Sequence, residues 1–384
     1  MPSNDLITIR RSQTALDYIT IRGFKSIAAI EKLRLLPINI LIGANGSGKS
    51  NFIGAFEFLH EIREGRLQHY VTASGGAEKL LHFGSKTTRE ISFHLSFARG
   101  VNEYSLTLGP TGDDTLFPAT EVAYFRNKAQ HESPYSDGLI PQQRRLEAGI
   151  SASGLTRVAQ WVRERLGGWR VYHVHDTSST SLMRKTAMAE DIDYLRSDGS
   201  NLAALLHFLK NEHPVEYSLI RGAVQRVAPF FDDFRLKARR LKREGESIRL
   251  QWSHKGSDQY FDASSLSDGT LRFIVLATLF LQPKQLRPSA IIVDEPELGL
   301  HPAAVDILAS LIHRVSAETQ VIVSTQSSRL LDHFDPEDVL VADRIEGATQ
   351  IRRLDSKKLS VWLDRYTLGE LWDKNELGGR PARG

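Results

Sequence analysis

Residues 17–24 (Asp-Tyr-Ile-Thr-Ile-Arg-Gly-Phe) alternate apolar and polar positions, the period of a half-buried strand. Residues 37–42 are almost wholly apolar and predict a short buried strand. A glycine-rich turn follows at 43–48, and a helix is expected from about 48 to 61. Segments 90–98, 103–108 and 121–125 alternate again and predict antiparallel strands, with a turn over 110–114. From about 126 the pattern changes. Polar loops (128–143) alternate with helical stretches at 154–165 and 201–211, the second preceded by the capping sequence Asp198-Gly199-Ser200. No heptad repeat is sustained, which argues against a long coiled-coil arm. Strand character returns over 231–253. A serine-rich turn (263–270), a helix (270–282), an apolar strand (289–293), a helix (303–316) and a second apolar strand (320–324) complete the series. Strand, helix, strand in that order predicts a parallel sheet. The expected architecture is α/β: an N-terminal lobe over 1–125, a compact, mostly helical insertion over 126–225, and a C-terminal lobe over 226–384.

Composition narrows the chemistry. The 384 residues include no cysteine, which excludes disulfides, thiolate metal sites and thiol catalysis. The N-terminus lacks the apolar core of a signal peptide. No apolar run approaches the ~18 residues that cross a membrane; the longest, 273–281, reads as a buried helix. A cytoplasmic protein with no membrane partner is expected. The net charge of +3 is only mildly basic and does not by itself argue for nucleic acid.

Residues 43–50 run Gly-Ala-Asn-Gly-Ser-Gly-Lys-Ser. Gly43, Gly48, Lys49 and Ser50 have P-loop spacing between a buried strand and a helix. Glycines let successive backbone N–H groups turn toward one anion, and the helix adds its positive end. Lys49 would reach the β- and γ-phosphates of ATP, and Ser50 would hold Mg²⁺. Asn45, Gly46, Ser47, Gly48, Lys49, Ser50 and Asn51 are therefore the candidate nucleotide-binding run.

Residues 289–302 read Ser-Ala-Ile-Ile-Val-Asp-Glu-Pro-Glu-Leu-Gly-Leu-His-Pro. An apolar strand ends in two carboxylates, where parallel sheets place ligands. Asp294 is the candidate Mg²⁺ partner. Glu295 is the candidate general base, polarising the attacking water.

Leu266-Ser267-Asp268-Gly269 closely resembles the ABC signature loop, which in that family presents a serine and a backbone N–H to the γ-phosphate bound by another subunit. The order of P-loop, long interval, signature and acidic strand is similar to ATPase heads of the SMC, RecF and OLD (overcoming-lysogenisation-defect) type. Ile21-Arg22-Gly23-Phe24-Lys25-Ser26 resembles their opening strand, and Glu295-Pro296-Glu297 with Gly299-Leu300-His301-Pro302 their acidic strand and D-loop. Trp169 to Thr177 and Leu368-Gly-Glu-Leu-Trp extend the likeness to stand-alone bacterial AAA family ATPases encoded beside a small partner protein, several linked to phage defence. The resemblance implies an ABC-type head with ATP and Mg²⁺. It implies Arg22, Lys25 and Ser26 near the nucleotide, and Ser267 and Gly269 on a γ-phosphate across a head-to-tail, ATP-sandwiched dimer or higher oligomer. It further implies a small effector partner such as a nuclease. The chain ends soon after its second lobe, so the C-terminal Toprim nuclease of OLD proteins is expected to be replaced by a separate protein.

One departure matters. The family's switch histidine, in Thr-His-Ser, is here Thr325-Gln326-Ser327. Glutamine can donate an amide hydrogen to phosphate or hold the water, but it cannot take a proton as imidazole can. Slow hydrolysis is expected, with Glu295 still the base. Gln68 and His82 are the candidates for the family's Q-loop residue. Asp268 is a candidate helix cap. His173 and His175 are spaced to share a strand face, as a metal site or as ordinary strand residues. His301 reads as a dimer-interface contact. The stretch 235–243 carries six basic residues, with Arg235, Lys237 and Arg239 on one strand face. It reads either as a DNA-contacting surface or as a solvated edge that discourages strand pairing. The leading expectation is an ATP-gated switch that controls a partner effector in anti-phage defence; the alternative is a RecF-like DNA-binding ATPase of repair.

Overall fold

A computed structural model describes residues 15–126, 135–139, 146–174, 176–178, 180–241 and 245–379. The chain divides into two units: Met1–Arg170 with Asp335–Gly384, and Val171–Phe334.

The first unit opens with β1 (Leu16–Phe24), whose Ile19, Ile21 and Phe24 are fully buried. It turns at once into β2 (Ile27–Arg34). All five residues of β3 (Ile38–Ile42) are buried, as its apolar run requires. The loop after β3 delivers α1 (Lys49–Arg63). Gly48 precedes this helix at φ 102°, a conformation that glycine adopts at no steric cost. Phe52, Phe56, Phe58, Leu59 and Ile62 make α1 a core helix. The short helices α2 (Leu67–Ala73) and α3 (Ala77–Leu80) follow. Then come β4 (Ile91–Phe97), β5 (Asn102–Pro110), β6 (Leu116–Phe125) and β7 (Tyr135–Gly138). The strands form one antiparallel sheet in the order β2-β1-β4-β5-β6-β7.

Buried Glu121 on β6 accepts from Tyr104 Oη (2.8 Å) and from the N–H groups of Gly149 (2.6 Å) and Ile150 (2.9 Å). It thereby pins the loop that leads into α4 (Arg157–Gly167). Ala159, Val162 and Leu166 form the buried stripe of α4. Trp169, which opens β8 (Trp169–Tyr172), packs edge-on against Phe56 of α1 at 5.1 Å.

In the second unit, β9 (Thr186–Met188), α5 (Leu202–Glu212) and α6 (Pro214–Val227) precede five short strands. These are β10 (Phe231–Arg235), β11 (Ala238–Leu241), β12 (Gly245–Arg249), β13 (Gln251–His254) and β14 (Tyr260–Asp262). They form two small antiparallel sheets, β10-β13-β14 and β11-β12-β9. Helix α7 (Asp268–Leu281) is mostly apolar and buried from Thr270 onward, Arg272 included. Strand β15 (Ala290–Asp294), helix α8 (Pro302–Ser316) and strand β16 (Gln320–Thr325) form the expected β-α-β unit. Its strands are parallel, with Ala290 opposite Gln320 and Asp294 opposite Ser324. The one-turn helix α9 (Ser328–Leu331) follows.

The chain then returns to the first unit. Strand β17 (Val339–Ile345) lies parallel to β3, with Val341 opposite Ile42. A tight turn at Glu346 and Gly347, both at positive φ, leads back along β18 (Ala348–Arg353). Helices α10 (Ser356–Leu363) and α11 (Leu368–Asp373) end the described chain, the latter with a Thr367–Glu370 capping box. No described helix is long and apolar enough to cross a membrane.

Candidate active site

In the first unit, the 43–50 loop is shaped by close backbone approach. A Cβ on Gly43 would meet Ala342 O at 2.6 Å, and Gly46 and Gly48 hold positive φ. Asn45, Gly46 and Ser50 are exposed, whereas Ser47 and Lys49 are buried. Lys49 Nζ donates to the carbonyls of Gly43 (2.6 Å) and Ala44 (3.1 Å), so its ammonium lies over the loop. Two residues that sequence reasoning did not find, Thr349 and Arg344, brace this arrangement together with Asn51. Thr349 Oγ1, on β18, donates to Ser47 O (2.9 Å) and contacts Ser26 Oγ (2.7 Å). Asn51 Nδ2 donates to the same Ser26 oxygen at 2.7 Å. Arg344 Nη1 reaches Gly46 O at 3.4 Å. Ser26 and Asn51 thus belong to one network with the loop.

Lys25 stands 5.4 Å from the Phe24 ring and 5.9 Å from that of Tyr70. Burial holds its pKa below the ordinary lysine value, with Glu57 opposing. Arg22 takes a different partner: its guanidinium makes a two-pronged pair with Glu31 (2.6 and 2.8 Å) on an exposed face. An open cavity of about 570 Å³ adjoins the loop; Lys25, Ser26, Asn51, His82, Phe83 and Arg344 are among its lining residues.

In the second unit, Asp294 closes β15 with its carboxylate largely buried. His173 Nδ1, just after β8, stands 3.8 Å from Asp294 Oδ2. Glu295 N–H still bonds Ser324 O (2.8 Å), but its φ of 44° swings the residue out of the strand. Gln326 Nε2 donates to Glu295 Oε1, so the two candidate catalytic side chains are in contact. Below them Glu297 Oε1 accepts from Thr325 Oγ1 (2.5 Å) and Gln326 N–H (3.2 Å). Burial pushes the Glu297 carboxyl above its ordinary pKa, against the pull of these hydrogen bonds.

The signature-like turn sits at the start of α7. Ser267 caps the helix, accepting from Thr270 N–H at 3.2 Å; Asp268 instead pairs with Arg184 at 2.7 Å. Arg184 also donates to the carbonyls of Ala263 and, at 3.4 Å, Leu266. Gly269 lies against the backbone of the 295–300 loop, where a Cβ would strike Gly299 O.

Other sequence candidates have local roles. Gln68 Nε2 donates to Leu116 O and Leu146 O, both at 2.7 Å, tying loops together. His82 Nδ1 stands 2.8 Å from Lys25 O. His301 caps α8 through Ala303 N–H at 3.2 Å. His175 lies outside the described residues. The basic stretch is interrupted: β10 ends at Arg235, Leu236 is buried, and β11 begins at Ala238. Arg235, Lys237 and Arg239 are exposed, and Lys242 and Arg243 lie outside the described residues.

The fold is that of an ABC-type ATPase head of the SMC kind. Two solved structures carry this likeness, each at 16% identity. The crystal structure of the SmcHead bound to the C-winged helix domain of ScpA covers 89% of this chain and 99% of its own, with a TM-score of 0.59. The Smc head domain with an extended coiled coil, bound to the C-terminal domain of ScpA derived from Pyrococcus furiosus, covers 91% and 98%, with a TM-score of 0.55. The chain belongs to the family described as "AAA domain, putative AbiEii toxin, Type IV TA system", whose model matches residues 38–332. No curated protein matches it.

Proposed function

We propose that this ATPase-family protein binds ATP, hydrolyses it slowly, and acts as an ATP-gated dimeric or higher-order switch on a partner effector, a nuclease, in anti-phage defence. The observation that carries the reading is the contact between Glu295, held out of its strand at positive φ, and the Gln326 amide. In this scheme Lys49 neutralises the terminal phosphates and the loop N–H groups orient them. The oxygen donors of Ser50 and Asp294 suit Mg²⁺, a hard cation that prefers oxygen ligands. Bound there, it would offset phosphate charge. Glu295 Oε2 accepts the proton of the attacking water while Oε1 is held by Gln326. With no imidazole at 326, no second group takes a proton, and turnover is slow. Ser267 and the N-terminal end of α7 serve a phosphate held by a second copy. Defence and a separate effector are supported by the toxin–antitoxin description of the family.

The test is the mass of Glu295→Gln in solution with and without ATP and Mg²⁺, beside wild-type phosphate release. The variant should lose hydrolysis and accumulate as a dimer or larger assembly with ATP. An unchanged mass, with or without a co-purified partner, would refute the shared site. The exposed Arg235, Lys237 and Arg239 keep the RecF-like DNA reading as the second choice. It requires ATP-dependent duplex affinity with a steep salt slope.

A further inference from the structure

Helices α6 and α8 leave between them a valley that no described segment fills, floored by Leu281 at the end of α7. We propose that this valley is a docking groove for an acidic amphipathic helix of a partner protein. The inference builds on the partner reading above, to which it adds a surface and a chemistry.

Shape is the first support. Two cavities of about 270 and 440 Å³ adjoin, sharing Leu219, Leu281 and Arg314. Together they follow α6 from Val215 to Arg226, about 16 Å of helix. That length suits a segment of chain rather than a compact ligand. Leu219, Ile307 and Leu311 make the walls apolar, and Val215 stands 67% exposed at one end. Both walls are helices, whose backbone groups are already paired and offer no strand edge. An occupant must therefore satisfy its own backbone, as a helix does.

Gly222 is the second. It lines the valley from the interior of α6, where glycine is the poorest helix former after proline. Its backbone is not left-handed, and a Cβ there would meet no atom within 4 Å. Nothing in the described fold therefore calls for glycine at this position. A bare backbone in the valley instead lets another chain approach closely. At the Val215 end, the buried Gln282 Oε1 and Arg287 Nε have no hydrogen-bond partner among the described residues. A buried donor and acceptor left unpaired are costly, and polar groups of an occupant would satisfy both.

Charge is the third, and it sets the sign of the partner. Arg226, Arg314 and Lys284 border the valley, exposed and with no carboxylate partner among the described residues. Of its two acids, Glu318 is paired with Arg287 (3.1 Å) and Glu216 bears on the same guanidinium. Burial chiefly, and Arg314 in smaller part, hold the Arg287 guanidinium below its ordinary pKa against the pull of Glu318. Carboxylates on the flanks of an occupant would relieve this crowding of cations. The chain's own segments 1–14 and 380–384 carry more arginine than acid and do not fit.

The experiment is fluorescence anisotropy of a labelled peptide of about eighteen residues, leucine along one face and glutamate on its flanks, with wild type, Gly222→Leu and Arg314→Glu. A second peptide carries lysine in place of glutamate. Wild type should bind the glutamate peptide about tenfold more tightly than the lysine one. Gly222→Leu puts a side chain into the valley and favours the helix. It should weaken binding by about tenfold while its urea midpoint stays at or above that of wild type. Arg314→Glu should weaken binding about fivefold, and less at high salt. Failure of wild type to bind the glutamate peptide overturns the proposal, as do equal binding of the two peptides and wild-type affinity in Gly222→Leu. A nucleotide-free wild-type dimer that Gly222→Leu dissolves would give the valley to a second copy and likewise overturn it. None of these outcomes bears on the ATP-dependent assembly of Glu295→Gln, so the nucleotide reading is tested apart.

Discussion

Thr349→Val tests how the phosphate loop is held. Thr349 is 1% exposed, and its hydroxyl bonds Ser47 O and Ser26 Oγ. Valine keeps the shape and removes both bonds. Ser26 Oγ retains Asn51, but the Ser47 carbonyl loses its side-chain donor. At about 0.5–1.5 kcal/mol per bond the loss is about 1–3 kcal/mol. The added methyl returns up to about 0.8 kcal/mol of apolar burial. A net destabilisation of about 1–2 kcal/mol follows. The loop must then be ordered at the expense of binding, which we put at about 1 kcal/mol, or roughly fivefold in ATP affinity. Urea unfolding gives the first number and calorimetric titration the second. Thr349→Ser separates the causes. It sheds a buried methyl, costing about 1 kcal/mol of stability, yet keeps the hydroxyl and should bind ATP as wild type does. If Thr349→Val matches wild type in both urea midpoint and ATP affinity, the hydroxyl does not anchor the loop.

Two further outcomes follow from the second unit. Gln326→His restores a group that can accept a proton, and phosphate release should rise by about tenfold; a large loss would refute the assignment of Glu295 as sufficient base. Glu297→Gln concerns pH. The buried Glu297 carboxyl has a folded pKa above its unfolded value, so the folded state holds the extra proton. Its contribution to stability is full below the unfolded pKa and is lost as pH rises through the folded one. Glutamine keeps the acceptor for Thr325 and Gln326 without that loss. Relative to wild type, the variant should therefore gain stability as pH rises above the ordinary carboxyl value of 4.5, read in urea titrations across that rise; a gap that stays constant would contradict it.

The elements most legible in the sequence are those whose signal is local. The 43–50 loop and the strand ending at Asp294 are contiguous, and flanking hydrophobicity alone places them. Other features depend on distant residues. Thr349 and Arg344 act on a loop some three hundred positions earlier, and no pattern around them announces it. Strand β2, to which the sequence reading assigns no element, lacks the strand period. Ile27, Ile30 and Leu33 are its buried residues, a spacing of three. The cause is an irregular register against β1 between Ile19 and Ile21, with Lys32 at φ 44° and its N–H on Thr20 Oγ1. A bulge of this kind breaks the period of two on which strand recognition depends. For His173 the strand spacing offers a face but not a partner; only the fold places Asp294 beside it. The basic stretch reads as one strand in the sequence because Arg235, Leu236 and Lys237 alternate exposed and buried, yet β10 ends at Arg235 and β11 begins at Ala238.

The pairing of Arg184 with Asp268 bears on how the signature turn meets an anion. A helix N-terminus attracts negative charge, but Asp268, in the first turn of α7, already supplies one. Left alone, that carboxylate would repel an approaching phosphate. Arg184, almost wholly buried and anchored on carbonyls of the same turn, cancels it. In the function proposed above, the pair offsets the Asp268 charge, so that a phosphate at this turn would meet the helix end rather than an unpaired acid. The residue that grants this lies some eighty positions upstream. Arg184→Ala would thus leave the Asp268 charge unpaired at the start of α7 and remove the donors to the carbonyls of Ala263 and Leu266 together.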